Sequence, residues 1–167
     1  MKLCILGGGL TGLSLAKSLV KKGLSIDIFL NKKKSDFNRS RTIGISNDNL
    51  MYFNKEILDI KKLFWDIKKI EIYSDNLRNE KILNFENNNK TVFAIIRNYQ
   101  LQSKLLKSLK KDKLCKFKQN FDYNLSNLKK YKLIINCEND NYFTKKFFAR
   151  SLKKKYDSLA YTTILKH

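Results

Sequence analysis

Apolar and polar positions alternate along this chain in a way that changes period several times. Lys2–Leu6 is a short, almost continuous apolar run, the pattern of a strand buried on both faces of a parallel sheet. A glycine-rich turn follows at residues 7–12. Residues 10–22 then carry Leu13, Ala16, Leu19 and Val20 at helical spacing, and Gly23 stands where a left-handed helix terminus is favoured. Ser25–Leu30 alternates and ends apolar, so it reads as a second strand. Together these segments make a βαβ unit of about 30 residues, the length of a parallel crossover.

Beyond it, residues 31–40 are polar and basic and read as a loop. Asn47 or Asp48 is placed to cap a helix running to residue 65, with Leu50, Phe53, Ile57, Ile60 and Phe64 on one side. Residues 69–74, 81–85 and 91–96 read as antiparallel strands, with Asn87, Asn88 and Asn89 as the turn between the last two. Asn98 starts a helix over residues 99–111, with Leu101, Leu105 and Leu109 inward. Residues 132–137 hold Leu133, Ile134 and Ile135 as a buried strand. A short helix over 143–152 and a last strand over 159–165 complete the pattern. The predicted class is α/β: a Rossmann-like parallel sheet with flanking helices and a small antiparallel β insertion.

Composition narrows the chemistry. The 167 residues suffice for one ordinary domain and a sizeable core. No apolar run is long enough to cross a membrane, and Gly7 ends the first run too early for a signal peptide. Cys4, Cys115 and Cys137 are an odd, widely spaced set, which fits buried thiols in a reducing compartment rather than a disulfide or zinc framework. His167 is the only histidine, so neither a catalytic triad nor a histidine-bearing metal site is expected. The net charge is +20, yet of the 35 basic residues only Arg39, Arg41, Arg78, Arg97 and Arg150 are arginine. Arginine is the usual reader of phosphates and base edges. The lysines are spread in short clusters beside abundant asparagine and isoleucine, a profile that AT-rich codons produce by themselves. No specific nucleic-acid partner is expected, and at most peripheral contact with anionic lipid.

One motif carries chemistry. Gly7-Gly8-Gly9-Leu10-Thr11-Gly12 fits G-x-G-x-x-G directly after a strand and at the opening of a helix. Gly7 permits the tight turn, Gly9 lets the backbone approach a pyrophosphate, and Gly12 lets the helix pack closely on the strand. Leu10 and Thr11 place free N–H groups at the helix start, where a phosphate is favoured. The acid that ends the second strand in such folds is missing. Leu30 stands there, followed by Asn31 as an uncharged acceptor for the ribose, while Asp27 is out of phase and reads as a surface residue.

With these features the sequence resembles the FAD-dependent aromatic-ring monooxygenases, most closely the ubiquinone-biosynthesis (polyprenylphenol) hydroxylase branch. The resemblance rests on residues 2–30, on Arg41-Thr42-Ile43-Gly44-Ile45-Ser46, on Ile96 to Leu106, on Leu133 to Asn139 with Lys145 and Lys146, and on Tyr156, Asp157 and residues 160–167. It departs from the family where Leu30 replaces the ribose acid and Glu138-Asn139 replaces Asp-Gly. Residues 114–132 are also too few for the family's small β-meander. The resemblance covers only the N-terminal half of such an enzyme.

The resemblance implies FAD as cofactor, held by Gly7, Gly9, Leu10, Thr11, Gly12 and Asn31. Arg41 would lie near the nucleotide and Gln102 near the flavin. It identifies no catalytic residue. It implies an FAD-binding domain of residues 1–68 and 97–157, with 69–96 and 158–167 as partial substrate-domain strands. It further implies a lipophilic aromatic substrate, a missing C-terminal half or partner chain, and a cytoplasmic setting at most peripheral to the inner membrane face. Other readings remain: a nicotinamide-dependent Rossmann reductase, or a non-catalytic remnant or split-protein half that binds a dinucleotide.

Overall fold

A computed structural model of the chain describes residues 2–30, 39–74, 78–124, 128–148, 154, 156 and 157. The expected loop residues 31–38, Asn31 included, and the expected strand at 159–165 lie outside the described residues.

The core is a four-stranded parallel sheet. Strand β1 (Lys2–Leu6) pairs with β2 (Ser25–Leu30) on one side and with β9 (Leu133–Asn136) on the other, and β8 (Cys115–Gln119) pairs with β2 at the edge. The spatial order is therefore β8-β2-β1-β9. Helices α1 (Leu10–Lys21) and α3 (Asn98–Lys110) pack against each other over one face. Their inward Leu13, Ala16, Leu105 and Leu109 are fully buried, as are Ile5, Ile26 and Ile28 on the strands. Each such aliphatic side chain contributes about 1.5–3 kcal/mol on burial, which is why the apolar runs set the layers.

A second sheet is antiparallel, ordered β3-β7-β4, from β3 (Thr42–Ser46), β7 (Phe93–Arg97) and β4 (Phe64–Ile67). Its buried Ala94 and Ile96 join the same core. Among the described residues a hairpin of β5 (Lys69–Ser74) and β6 (Glu80–Glu86) pairs with no other strand and forms a two-stranded sheet. Ile72, Tyr73, Ile82, Leu83 and Phe85 on it are exposed. The short helix α4 (Tyr142–Phe147) follows β9, with the Asn141 side chain accepting from Thr144 N.

Several expectations change. The helix expected to run to residue 65 is α2 (Asn47–Tyr52), which widens into a π turn at Phe53–Ile57 and stops. Asn54 Oδ1 accepts from Ile60 N at 2.8 Å, and Leu58 turns extended. Ile60 is fully buried through this turn, so its helical spacing was accidental, and Phe64 and Trp65 belong to β4. The strand at 91–96 is β7, but it pairs with β3 and β4, not with the hairpin. Strands β3, β4 and β8 carry no clear period in the sequence. Asn88 and Asn89 do form a turn, both with positive φ. The last helix ends at Phe147, and residues 149–152 of the expected helix lie outside the described residues.

Asp27 is the clearest reversal: it is fully buried, not a surface residue. It lies on the sheet face opposite α1 and α3. Its Oδ2 accepts from Lys118 Nζ (2.6 Å), Tyr131 OH (2.7 Å) and Lys2 Nζ (3.0 Å). Burial raises its pKa, but those hydrogen bonds outweigh it and hold the carboxyl below its ordinary value. Cys4 and Cys115 are buried thiols pushed up to about 12 and about 11, chiefly by burial, and Cys137 is half-buried.

Candidate functional site

The glycine turn sits at the carboxyl edge of the parallel sheet, between β1 and α1. Each glycine meets a different environment. Gly7 has φ +113, a backbone that side chains rarely adopt, and a Cβ there would lie 2.9 Å from Glu138 Cγ. Gly12 is buried, and a Cβ on it would fall 2.2 Å from the Gly7 carbonyl oxygen. Helix and turn therefore touch backbone to backbone. Gly8 is covered by Leu30, whose Cδ2 lies 2.3 Å from the position of a Gly8 Cβ. Gly9 alone faces open space, with nothing within 4 Å of a Cβ.

Gly9 is also the N-cap residue of α1. It offers no side-chain cap, and no acid lies in the first turn. The first-turn N–H groups of a helix lack partners within it, and the helix dipole makes this end favourable to an anion. Leu10 is half-buried and Thr11 is exposed at that end. The turn has the geometry expected at Gly7 and Gly12, a tight turn and close packing of helix on strand.

Gln102 sits on the second turn of α3 and is only 7% exposed. Its Nε2 donates to the Gly8 carbonyl at 2.8 Å. Here Gln102 braces the glycine turn, a role that its place in the sequence did not suggest. Arg41 is exposed and immediately precedes β3. Its carbonyl accepts from Asn98 N at 3.0 Å, which ties Arg41 to the start of the helix that bears Gln102.

Beside the turn lies a cleft of about 260 Å³, lined by Leu6, Phe29, Leu30, Asn120, Phe121, Tyr123 and Glu138. It opens at the carboxyl ends of β1 and β2, the place where ligands bind in open α/β sheets. Phe29 and Phe121 meet edge to face with centroids 4.8 Å apart, and Phe121 and Tyr123 do so at 5.1 Å. The Tyr123 hydroxyl is raised, first by burial and then by the charge of Glu138. Residues 120–123 gave no motif in the sequence. Their link to the site is the parallel pairing of β8 with β2, which no local pattern reveals.

Among the described residues no group of histidine, cysteine, aspartate and glutamate could hold a metal ion, and no helix is long and apolar enough to cross a membrane.

No protein-family model matches the sequence, and no curated protein matches it. Solved structures do match the fold. The probable FAD-dependent monooxygenase PqsL of Pseudomonas aeruginosa aligns with a TM-score of 0.67 at 10% identity, over 93% of this chain and 48% of that one. The p-nitrophenol 4-monooxygenase PnpA of Pseudomonas putida aligns at 0.58 and 17% identity, over 71% of this chain and 31% of that one. Klebsiella pneumoniae HpxO, solved with FAD and uric acid, aligns at 0.52 and 19% identity, over 70% and 30%. The chain thus spans about a third to a half of the length of these proteins. At such identities the likeness establishes the fold, a parallel sheet flanked by helices with antiparallel additions.

Proposed function

We propose that this chain is the FAD-binding portion of a flavin-dependent monooxygenase that hydroxylates an aromatic ring. The observation that carries the reading is the glycine cradle. Its three packed glycines are closed by neighbouring atoms, while Gly9, at the free N-terminus of α1, is open. A pyrophosphate fits that opening: it needs close backbone approach, unpaired N–H donors and a favourable dipole. The fold shared with FAD-dependent monooxygenases supports FAD over other dinucleotides.

When bound, FAD supplies the oxygen chemistry, placing one atom of O₂ on an electron-rich ring. The residues of this chain bind and orient it. Gly7 shapes the turn, Gly12 seats α1, and the N–H groups of Leu10 and Thr11 face the phosphates. Gln102 fixes the Gly8 carbonyl, so the turn keeps its shape as the ligand arrives. Asn31 is assigned to the ribose and Arg41 to the nucleotide's charge, a charge-assisted contact.

Residues 1–68 and 97–157 are assigned to the cofactor domain. Residues 69–96 and 158–167 are assigned to the substrate side, a division supported by the exposed apolar hairpin of β5 and β6. Among the described residues this two-stranded sheet keeps its apolar side chains exposed, a surface suited to packing against further polypeptide. The substrate class is a lipophilic aromatic such as a polyprenylphenol, in ubiquinone biosynthesis. The setting is cytoplasmic, at most peripheral to the inner membrane face.

The test is titration of the purified chain with FAD and with NADP, followed by addition of reductant and a short-chain prenylphenol. FAD should bind and NADP should not. The 167 residues alone should give hydrogen peroxide without hydroxylated product, because the pocket that excludes water needs the covering polypeptide. Absence of FAD binding would refute the cofactor assignment. Stoichiometric product from the isolated chain would refute the partial-enzyme reading.

A further inference from the structure

Leu30 leaves an adenosine ribose without the carboxylate that ordinarily ends the second strand of a dinucleotide-binding fold. Another carboxylate lines the cleft beside it. Glu138 is the one charged side chain among the cleft's lining residues. Its backbone is held on both sides. The Glu138 N–H donates to Asn136 Oδ1 at 3.1 Å, and its carbonyl accepts from Thr144 Oγ1 at 3.0 Å. Asn136 is itself tied to the buried cap residue Asn141 by an amide contact of 2.6 Å. The Glu138 stem lies against the glycine turn, its Cγ at 2.9 Å from the place of a Gly7 Cβ. The residue is thus anchored where a nucleotide crossing the turn must pass.

We infer that the Glu138 carboxylate, across the cleft from Leu30, accepts from the ribose hydroxyls of the bound dinucleotide in place of the acid that ends β2 in such folds. The inference rests on the dinucleotide reading and assigns to Glu138 the task that the end of β2 has lost. The chemistry matches. A vicinal diol offers two donors, and an ionised carboxylate offers two acceptor oxygens and no donor. A negative side chain at the ribose also repels a 2′-phosphate, so the site discriminates against NADP.

The experiment is calorimetric titration of the full chain and of Glu138→Gln with FAD, ADP and 2′,3′-dideoxy-ADP. Wild type should prefer ADP to the dideoxy analogue by about tenfold or more, the weight of hydrogen bonds to a charged group. Glu138→Gln should lose a similar factor for FAD and ADP and none for the dideoxy analogue. Equal affinity of wild type for ADP and dideoxy-ADP would overturn the inference without recourse to any variant. So would a Glu138→Gln protein that binds ADP like wild type, or one that loses both nucleotides equally. Those results leave wild-type FAD binding, and with it the cofactor reading, intact and strike only the role of Glu138. Wild type that binds neither FAD nor ADP overturns both readings together.

Discussion

Two glycines of one motif should respond oppositely to the same added methyl group. At Gly12, a Cβ would lie 2.2 Å from the Gly7 carbonyl oxygen, 3.2 Å from the Gly7 carbonyl carbon and 3.4 Å from Ile5 Cγ2. The first obstacle is backbone, which cannot rotate away, so α1 must lift from the turn. Overpacking of this kind costs about 1–3 kcal/mol. For a chain of this size that lowers the melting temperature by roughly 2–4 °C per kcal/mol. At Gly9, φ is −73° and nothing lies within 4 Å of a Cβ. Restricting the unfolded chain contributes about 0.4–1 kcal/mol in favour of alanine. Losing glycine at an N-cap costs roughly 0.5–1 kcal/mol, so the net change in stability is near zero. Gly9→Ala and Gly9→Val should therefore melt within a few degrees of wild type while losing FAD affinity, Val the more severely. Gly12→Ala should melt lower. Thermal denaturation by circular dichroism, paired with FAD titration by flavin fluorescence, reads both quantities. A Gly9→Val protein with wild-type FAD affinity would refute the phosphate role of the cradle, and an unchanged melting temperature for Gly12→Ala would refute the close packing.

Two further outcomes follow from the packing. Asp27 has a depressed pKa in the fold, so its stabilisation is present above the unfolded value near 3.8 and lost as pH falls through the lower folded value. Asp27→Asn should cost about 1–3 kcal/mol near neutrality because Lys2 and Lys118 lose their charged acceptor, and urea titrations should show that difference closing at acid pH; a constant gap would contradict it. Gln102→Leu leaves the Gly8 carbonyl without its partner, so about 1–3 kcal/mol of stability should go together with FAD affinity, and a variant that loses neither would show that the brace does not shape the turn.

The βαβ unit was legible because it is local. Lys2–Leu6, the glycine turn, α1 and Ser25–Leu30 are neighbours in sequence, and their apolar period, glycine placement and length all answer to the same short crossover. The same holds for α3, whose Leu101, Leu105 and Leu109 declare their face, and for the turn at Asn88 and Asn89. What tertiary structure decided is whatever depends on a distant partner. Cys115–Gln119 reads as an undistinguished basic stretch and becomes a strand only because β2 offers its edge. Phe64 keeps the period of the preceding helix, yet it pairs with Ile96, since Asn54 captures Ile60 N and breaks the helix first. Asp27 alternates like a surface residue, but Lys118 and Tyr131 close over it from about a hundred residues further along the chain, with Lys2 from the neighbouring strand β1. The cleft joins Leu30 and Glu138 for the same reason: parallel strands bring their carboxyl ends to one edge, and only the order β8-β2-β1-β9 says which ends meet there.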